Sequence, residues 1–226
     1  MYKVLLIDES DEDMDRFLDY IESQKMSDQL DVVKLLPLSG VDEMLDAIVE
    51  ERPDAVVVDY KLNDLKTDID YNVTFNGVDL VEAFLKIKKG FPCFVVTSFD
   101  HDAIGNSQDV NIVYSKDLYG RNFTRNAQRD ADNRLSLRIL RQIEHYHARF
   151  AEYKAEYYEL LEASRQGDLS ATQEERIIEL DTFFERSISD AASLPPVIKK
   201  RSFQDDLCEF IKKTDELIES VRNSGA

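Results

Sequence analysis

Acidic side chains directly follow two short apolar runs in the first 60 residues of the chain. Asp8 and Glu9 come after VLLI, and Asp59 comes after AVVV. Three carboxylates brought to one place repel one another unless a cation lies between them, and hard oxygen ligands with open positions suit Mg²⁺. The residue types therefore predict a magnesium site, provided that the two runs end close together.

A hydroxyl and an amine follow two later apolar runs. Thr97 and Ser98 come after CFVV, and Lys116 lies just past NIVY. A lysine supplies compensating charge, either hydroxyl can hydrogen-bond a phosphoryl oxygen, and Asp59 is a carboxylate able to become an aspartyl phosphate. Asp and Ser are also common turn and N-cap residues, and for Asp8 alone that structural interpretation is favoured. The whole ordered set, however, indicates a phosphoryl site.

The elements that would position these residues alternate along the first half of the chain. Runs that are apolar at consecutive positions are typical of parallel strands covered on both faces. They occur at 3–7, 31–36, 55–58, 93–96 and 111–114. Helix-period stretches lie between them at 13–24, 41–51 and 78–88. The alternation predicts an α/β fold, a five-stranded, parallel, doubly wound (flavodoxin-like) sheet, whose ligand site lies at the carboxyl ends of the strands.

Residues 1–120 resemble the receiver domain of two-component response regulators, in the segments IDES, ERPDAVVVDY, NGVDLVEAFLK, VVTS and VYSK. The resemblance implies that Asp59 is the phospho-acceptor and that Asp8 and Glu9 are the Mg²⁺-binding acid pair. It also implies that the Thr97 hydroxyl turns toward the phosphoryl group and that Lys116 is the lysine of the last strand.

Further expectations come from the same resemblance. The third protein ligand of Mg²⁺ in the family is a backbone carbonyl two residues after the acceptor, which here belongs to Lys61. The phosphodonor would be a histidine kinase or a phosphotransfer protein. The domain would be a signalling switch rather than an enzyme, with at most slow self-phosphorylation and self-dephosphorylation.

Two departures from the family pattern fall near the predicted site. The connection over residues 60–76 is longer than usual, and a long loop at this edge is either a lid, a docking element or a tolerated excursion. The aromatic switch position of the family is occupied by Val113, and Tyr114 follows one residue later. A one-residue shift in a strand turns the side chain to the opposite face, so core packing is favoured for Tyr114.

Residues 121–226 are predicted to form an all-α, helical or coiled-coil interaction domain, with helices at about 124–166, 171–190 and 202–222. Apolar and aromatic residues recur at heptad spacing at Ile139, Ile143, Tyr146, Phe150, Tyr153, Tyr157 and Leu160. The many aromatic rings leave open whether this seam forms a coiled coil or packs against another helix of the same chain. Gly167 is expected to end the first helix, and Ser170 with Gln173 to cap the second.

Charge limits the possible partners. The chain carries a net charge of -18, with 26 acidic and 11 basic side chains in residues 1–120. Nucleic-acid binding by the whole chain is therefore disfavoured, because phosphate neutralisation requires a basic footprint. An arginine-rich face within 121–149 is the exception. No membrane span or signal peptide is apparent, which predicts a cytoplasmic location.

Three functions follow for the whole chain. The first is a phosphorelay response regulator, in which Mg²⁺-dependent phosphorylation of Asp59 controls helices that dimerise or bind a protein partner. The second is an RNA-antiterminator-like regulator that acts through the 121–149 arginine face. The third is a receiver-like assembly module that works without phosphorylation. His145 and His147 are interpreted as structural or surface residues, since the sequence around them lacks a phosphotransfer pattern.

Overall fold

The computed structural model describes residues 1–63, 68–98, 110–116, 134–167 and 169–188. The chain divides into two compact units, residues 1–148 and residues 149–226. Several predicted features lie outside the described residues: the division after residue 120, the start of the 124–166 helix, the helix at 202–222, and the arginines at 121, 125 and 129. Those features stay predictions.

Five parallel strands form the sheet of the first unit. They are β1 Tyr2–Ile7, β2 Leu30–Leu35, β3 Ala55–Asp59, β4 Cys93–Thr97 and β5 Val113–Ser115. Their order is β2-β1-β3-β4-β5, which is the order of flavodoxin-like sheets. The predicted fold class is confirmed.

The fifth strand is shorter than predicted. Residues Val110–Ile112 form a 3₁₀ turn, so the strand begins at Val113 rather than at Asn111. It pairs only with β4, from Val95 opposite Val113 to Thr97 opposite Ser115. As an edge strand, β5 has β4 as its neighbour in the sheet. Its pairing with β4, and not the apolar run at 111–114, therefore determines where the strand begins.

The described helices are α1 Asp11–Ser23, α2 Val41–Glu51, α3 Gly77–Ile87, α4 Leu135–Gln166 and, in the second unit, α5 Ala171–Ile188. Helices α1, α2 and α3 and the first turns of α4 cover the two faces of the sheet. The first three begin and end within two residues of their predicted positions. Among the described residues, no helix is long and apolar enough to cross a membrane.

Successive strand residues enter two separate cores. Leu5 and Val56 pack in the core shared with α2 and α3, whereas Leu6 and Val57 pack in the core shared with α1 and the start of α4. Both faces of each central strand are therefore buried away from water, which explains the unbroken apolar runs in the sequence.

The first turns of α4 belong to the first unit. Leu135, Ile139 and Ile143 are fully buried in the core on the α1 face. The backbone N–H of Ser136 donates to the Tyr20 hydroxyl at 3.1 Å. The first compact unit consequently extends beyond the predicted receiver and includes the beginning of the predicted long helix.

The remaining part of α4 packs against α5 inside the second unit. Phe150 lies 5.2 Å from Phe184, and Tyr153 lies 5.0 Å from Phe183, measured between ring centroids. The seam between these helices is thus filled within one chain, as the alternative to a coiled coil predicted. Gly167, with φ of 84°, ends α4.

The expected capping box at the start of α5 is present. The backbone N–H of Gln173 donates to the Ser170 hydroxyl at 3.3 Å, and the backbone N–H of Ser170 donates to the Gln173 side-chain oxygen at 2.9 Å. Two donors at the helix N-terminus are satisfied reciprocally in this way.

Candidate functional site

The carboxyl ends of the strands bring the predicted side chains to one edge of the sheet. Asp8 and Glu9 directly follow β1, Asp59 and Thr97 end β3 and β4, and Lys116 directly follows β5. All five are buried, with residue exposures of 3%, 3%, 8%, 1% and 9% in that order. Buried charges persist in proteins when they are paired or bind ions, so the edge is a candidate site.

Lys116 lies at the centre of the carboxylates. Its Nζ donates to Asp8 Oδ2 at 2.9 Å and to Asp13 Oδ2 at 3.0 Å. It also forms an ion pair with Asp59 Oδ1 at 3.0 Å. An ammonium has three N–H donors, and three carboxylates are within reach of them. We call Asp8, Glu9, Asp13, Asp59 and Lys116 the acidic edge.

Asp13 was missed by the sequence reasoning. It lies in the first turn of α1, where the Ser10 hydroxyl accepts its backbone N–H at 3.3 Å. The predicted helix began at residue 13, whereas the observed helix begins at Asp11. Reading Ser10 as the N-cap would have put Asp13 in the first turn, close to the strand ends, because Ser caps helices by accepting the N3 N–H.

Burial dominates the electrostatics of the acidic edge. Burial, with a smaller contribution from the nearby Asp8 and Glu9 carboxylates, raises the pKa of Asp59 to about 7, and Lys116 only partly offsets this rise. Burial likewise raises the pKa of Asp8 above its usual range, against the lowering effect of Lys116. One ammonium therefore does not fully offset the burial of these carboxylates.

The donor types at the acidic edge are those that a hard divalent cation takes. Within the described ranges, however, no group of three or more His, Cys, Asp or Glu side chains is arranged so that it could hold a metal ion. Oxygens of Asp8 and Asp59 converge instead on one positive charge, the Lys116 ammonium. Carboxylate oxygens arranged around a cation are the ligands that Mg²⁺ prefers. Asp8, Glu9 and Asp59 would hold the ion, and the Lys61 carbonyl stays a predicted fourth contributor.

The two candidate hydroxyls differ in burial. Thr97 is buried at the end of β4, whereas Ser98 is exposed. Asp59 lies opposite Val96 in the register of β3 and β4, one residue before Thr97. Thr97 therefore ends the strand next to the Asp59 strand and stays the predicted hydroxyl of the site.

Gly77 allows the start of α3 to approach the acceptor strand closely. A Cβ at this position would lie 2.2 Å from the Asp59 carbonyl oxygen. The Gly77 N–H donates to the Tyr60 carbonyl at 2.9 Å, and Asn76 caps the helix with Asp79 in a capping box. The backbone on both sides of the acceptor is thus fixed by a contact that only glycine permits.

The described parts of the long 60–76 connection are anchored. Leu62, Ile69 and Val73 are buried in the core shared with α2 and α3. The Tyr71 hydroxyl donates to the Pro37 carbonyl at 2.7 Å. Close to the site, the Asp68 carboxylate accepts the backbone N–H of Asp11 at 3.2 Å. These segments fill the core, which the polar composition of the loop did not indicate.

Tyr114 packs in the core on the α1 face, as the one-residue shift predicts. Its ring lies 5.6 Å from the Phe94 ring, and the Arg138 guanidinium carbon lies 5.5 Å from its centroid. Such cation–π contacts stabilise packing between elements. Arg138, one of the arginines within 121–149, is therefore engaged inside the first unit.

His147 makes a structural contact at the opposite edge of the sheet. Its Nε2 lies 2.9 Å from Asp54 Oδ1, and its ring lies 5.5 Å from the Tyr2 ring. Asp54 also accepts the backbone N–H of Lys3 at 2.8 Å. The structural interpretation of His147 is confirmed by these contacts.

Comparisons with known proteins match this chain to solved structures, and the sequence identity to those described below is low. No family model matches the chain, and no curated protein does. The anti-anti-sigma factor PhyR from Bartonella quintana is 15% identical, with a TM-score of 0.40, over 68% of this chain and 51% of that chain. The chain thus spans about half the length of that protein.

Two structures of the response regulator RcsB are also similar. The Salmonella typhimurium protein is 11% identical over 87% of this chain and 96% of that chain, with a TM-score of 0.38. RcsB from Salmonella enterica serovar Typhimurium, bound to promoter P1flhDC with the phosphomimetic BeF3-, is 15% identical over 91% and 92%, with a TM-score of 0.39. Such low values add nothing to the strand order, which by itself defines the fold.

The first unit has the flavodoxin-like fold that the predicted resemblance implies. Five parallel strands in the order β2-β1-β3-β4-β5 carry an acid pair, an aspartate, a threonine and a lysine at their carboxyl ends.

Proposed function

We propose that the chain is a phosphorylation-dependent regulator whose receiver accepts a phosphoryl group on Asp59. The observation that carries the proposal is the convergence of Asp8 and Asp59 on Lys116 in a buried edge with excess negative charge. A structural ion pair needs one carboxylate per ammonium. The additional carboxylates fit a site that receives a cation together with an anionic phosphoryl group.

The proposed reaction is a nucleophilic displacement at phosphorus. One Asp59 carboxylate oxygen forms the new P–O bond while the P–N bond to a donor histidine breaks. The electron pair of that bond leaves with the imidazole, which takes up a proton. Mg²⁺, when bound, would screen the phosphoryl charge from the carboxylates. Lys116 would provide a cation beside the acceptor, and Thr97 would hydrogen-bond the transferred group.

The helices are the proposed output. Helix α4 starts in the core of the first unit, through Leu135 and Ile139, and continues to residues that pack in the second unit, such as Phe150. A change at the acidic edge therefore has a continuous helix by which to reach the second unit. Phosphorylation would change dimerisation or the access of a protein partner, and the donor would be a histidine kinase or phosphotransfer protein.

Labelling with a small phosphodonor tests the proposal. Wild-type protein should take up one phosphoryl group per chain in the presence of Mg²⁺, and the product should have the base lability of an acyl phosphate. Asp59→Asn should take up none, because the nucleophile is gone. Asp70→Asn, at an exposed position in the neighbouring loop, is the matched control and should label like the wild type.

The two other functions make different predictions. Arg138 is engaged with Tyr114 inside the first unit, which leaves the arginine face with less support as a nucleic-acid surface. A mobility shift with RNA at low salt would nevertheless favour that function. A chain that never labels but keeps a fixed oligomeric mass would be the phosphorylation-independent assembly module.

A further inference from the structure

Lys116 has one more carboxylate partner than the proposed phosphoryl site requires. Asp8 and Asp59 belong to the proposed cation set, but Asp13 lies on α1 and is outside it. Asp13 Oδ2 is 3.0 Å from Lys116 Nζ, as close as the Asp59 oxygen. The other Asp13 oxygen pairs with Arg16. The Asp13 side chain is 25% exposed, compared with 4% for Asp8.

The ammonium and a divalent cation would share the carboxylates of Asp8 and Asp59, and the two positive charges would repel each other. That repulsion would weaken the binding of the cation or the hold on the ammonium unless a carboxylate outside the cation's ligands offset it. Either outcome would weaken a site that needs both charges.

We propose that Asp13 is a positioning residue that keeps the Lys116 ammonium at the acidic edge when a divalent cation takes up the oxygens of Asp8 and Asp59. The inference rests on the proposed function and deepens it. Asp13 offers the ammonium an acceptor that is not among the proposed ligands of the cation, so that the cation enters without expelling the amine. The pairing of Asp13 with Arg16 holds its carboxylate toward the edge.

A double-mutant cycle on Mg²⁺ affinity tests this role. Titration calorimetry with MgCl₂ at constant ionic strength would compare full-length wild type, Asp13→Asn, Lys116→Met and the double variant. Asp15→Asn is the matched control, because it removes one charge from the same helix at a residue that pairs with Lys34 and not with Lys116.

With Lys116 present, Asp13→Asn should weaken Mg²⁺ binding about tenfold, because the ammonium then competes for the oxygens of Asp8 and Asp59. Asp15→Asn should weaken it by less than about twofold. In the Lys116→Met background, the Asp13→Asn effect should fall to that of Asp15→Asn. An equal loss in both backgrounds would mean that Asp13 acts only by its charge, and would overturn the inference.

The outcomes for the inference and for the proposed function are separable. If the wild-type protein binds Mg²⁺ but the cycle shows no coupling between Asp13 and Lys116, only the role of Asp13 is contradicted. A wild-type protein that shows no Mg²⁺ heat, and no Mg²⁺-dependent rise in melting temperature, contradicts the metal-dependent site, and the role of Asp13 falls with it.

Discussion

Two clusters of charged side chains lie at opposite edges of the same sheet, and they differ in burial and in charge balance. The acidic edge sets one lysine against four carboxylates. The second cluster, which we call the amino edge, consists of Lys3, Glu51, Asp54 and His147. It lies at the amino-terminal ends of the strands. Its lysine pairs with Glu51, and its aspartate accepts from Lys3 and His147.

The difference in burial and charge balance indicates the role of each cluster. Side chains of the amino edge are a quarter to a half exposed, whereas those of Asp8, Asp59 and Lys116 are at most 11% exposed. Exposed, balanced pairs contribute little and cost little. Buried, unbalanced carboxylates lower the stability of the fold, and such groups cluster at functional sites. The amino edge fixes the start of the sheet and the chain at His147, whereas the acidic edge has the burial and charge of a candidate functional site.

Removing the lysine from each edge should give the largest contrast. Lys116→Met leaves buried carboxylates without their cation and should lower the free energy of unfolding by about 3–5 kcal/mol in metal-free buffer. Lys3→Met at the half-exposed amino edge should cost at most about 1 kcal/mol. Urea denaturation with EDTA measures both. Equal losses would remove the distinction between the two edges.

Neutralising an aspartate should change the free energy of unfolding in opposite directions at the two edges. The pKa of Asp59 is about 7 in the folded protein, above the ordinary value of 3.8, so the folded state holds a proton that the unfolded state has released. Stability from this group is therefore fully present below about pH 4 and is lost as the pH rises through about 7.

Asp59→Asn should accordingly raise the free energy of unfolding at pH 8 by roughly 2–4 kcal/mol, with little change at pH 4. Asp54→Asn should instead lower it slightly at pH 8, because contacts with Lys3 and His147 are weakened. Thermal unfolding across this pH range, without metal, provides the measurement. A destabilised Asp59→Asn at pH 8 would contradict the electrostatic account of the acidic edge.

The shape of the acidic edge should depend on one glycine. Gly77→Ala places a Cβ against the Asp59 carbonyl and should cost about 1–3 kcal/mol while slowing phosphodonor labelling. Gly40→Ala, where a Cβ would meet only the Glu43 side chain at 3.8 Å, is the control and should change stability much less. Denaturation midpoints and labelling rates together report the effect. A tolerated Gly77→Ala with normal labelling would mean that the approach of α3 does not set the acceptor geometry.

Much of the acidic edge could be predicted because its signals are local. The apolar runs that became β1, β3 and β4 each end at an acidic or hydroxyl residue, and parallel strands bring their ends together. The interaction of Asp13 with Lys116 could not be predicted in this way, because Asp13 lies in a helix and not at the end of a strand. It depends on where α1 begins and on which face of the helix lies over the strand ends.

The second half of the chain shows the opposite case. The heptad pattern correctly predicted a helix and an apolar seam, but the same spacing suits several partners. Ile139 and Ile143 are buried in the first unit, whereas Phe150 and Tyr153 pack on α5. The core role of Ile69 and Val73 was also hidden, because isolated apolar residues in a polar loop have no period to reveal them.

The central claim is that the acidic edge exists to receive a phosphoryl group on Asp59, and the chemical location of that group tests it most directly. Wild-type protein would be treated with acetyl phosphate and Mg²⁺, digested, and mapped by mass spectrometry. The account predicts a single phosphoryl group, dependent on Mg²⁺, on the peptide that contains Asp59. A protein that gains no phosphoryl group under these conditions, or carries it on another residue, would contradict the account.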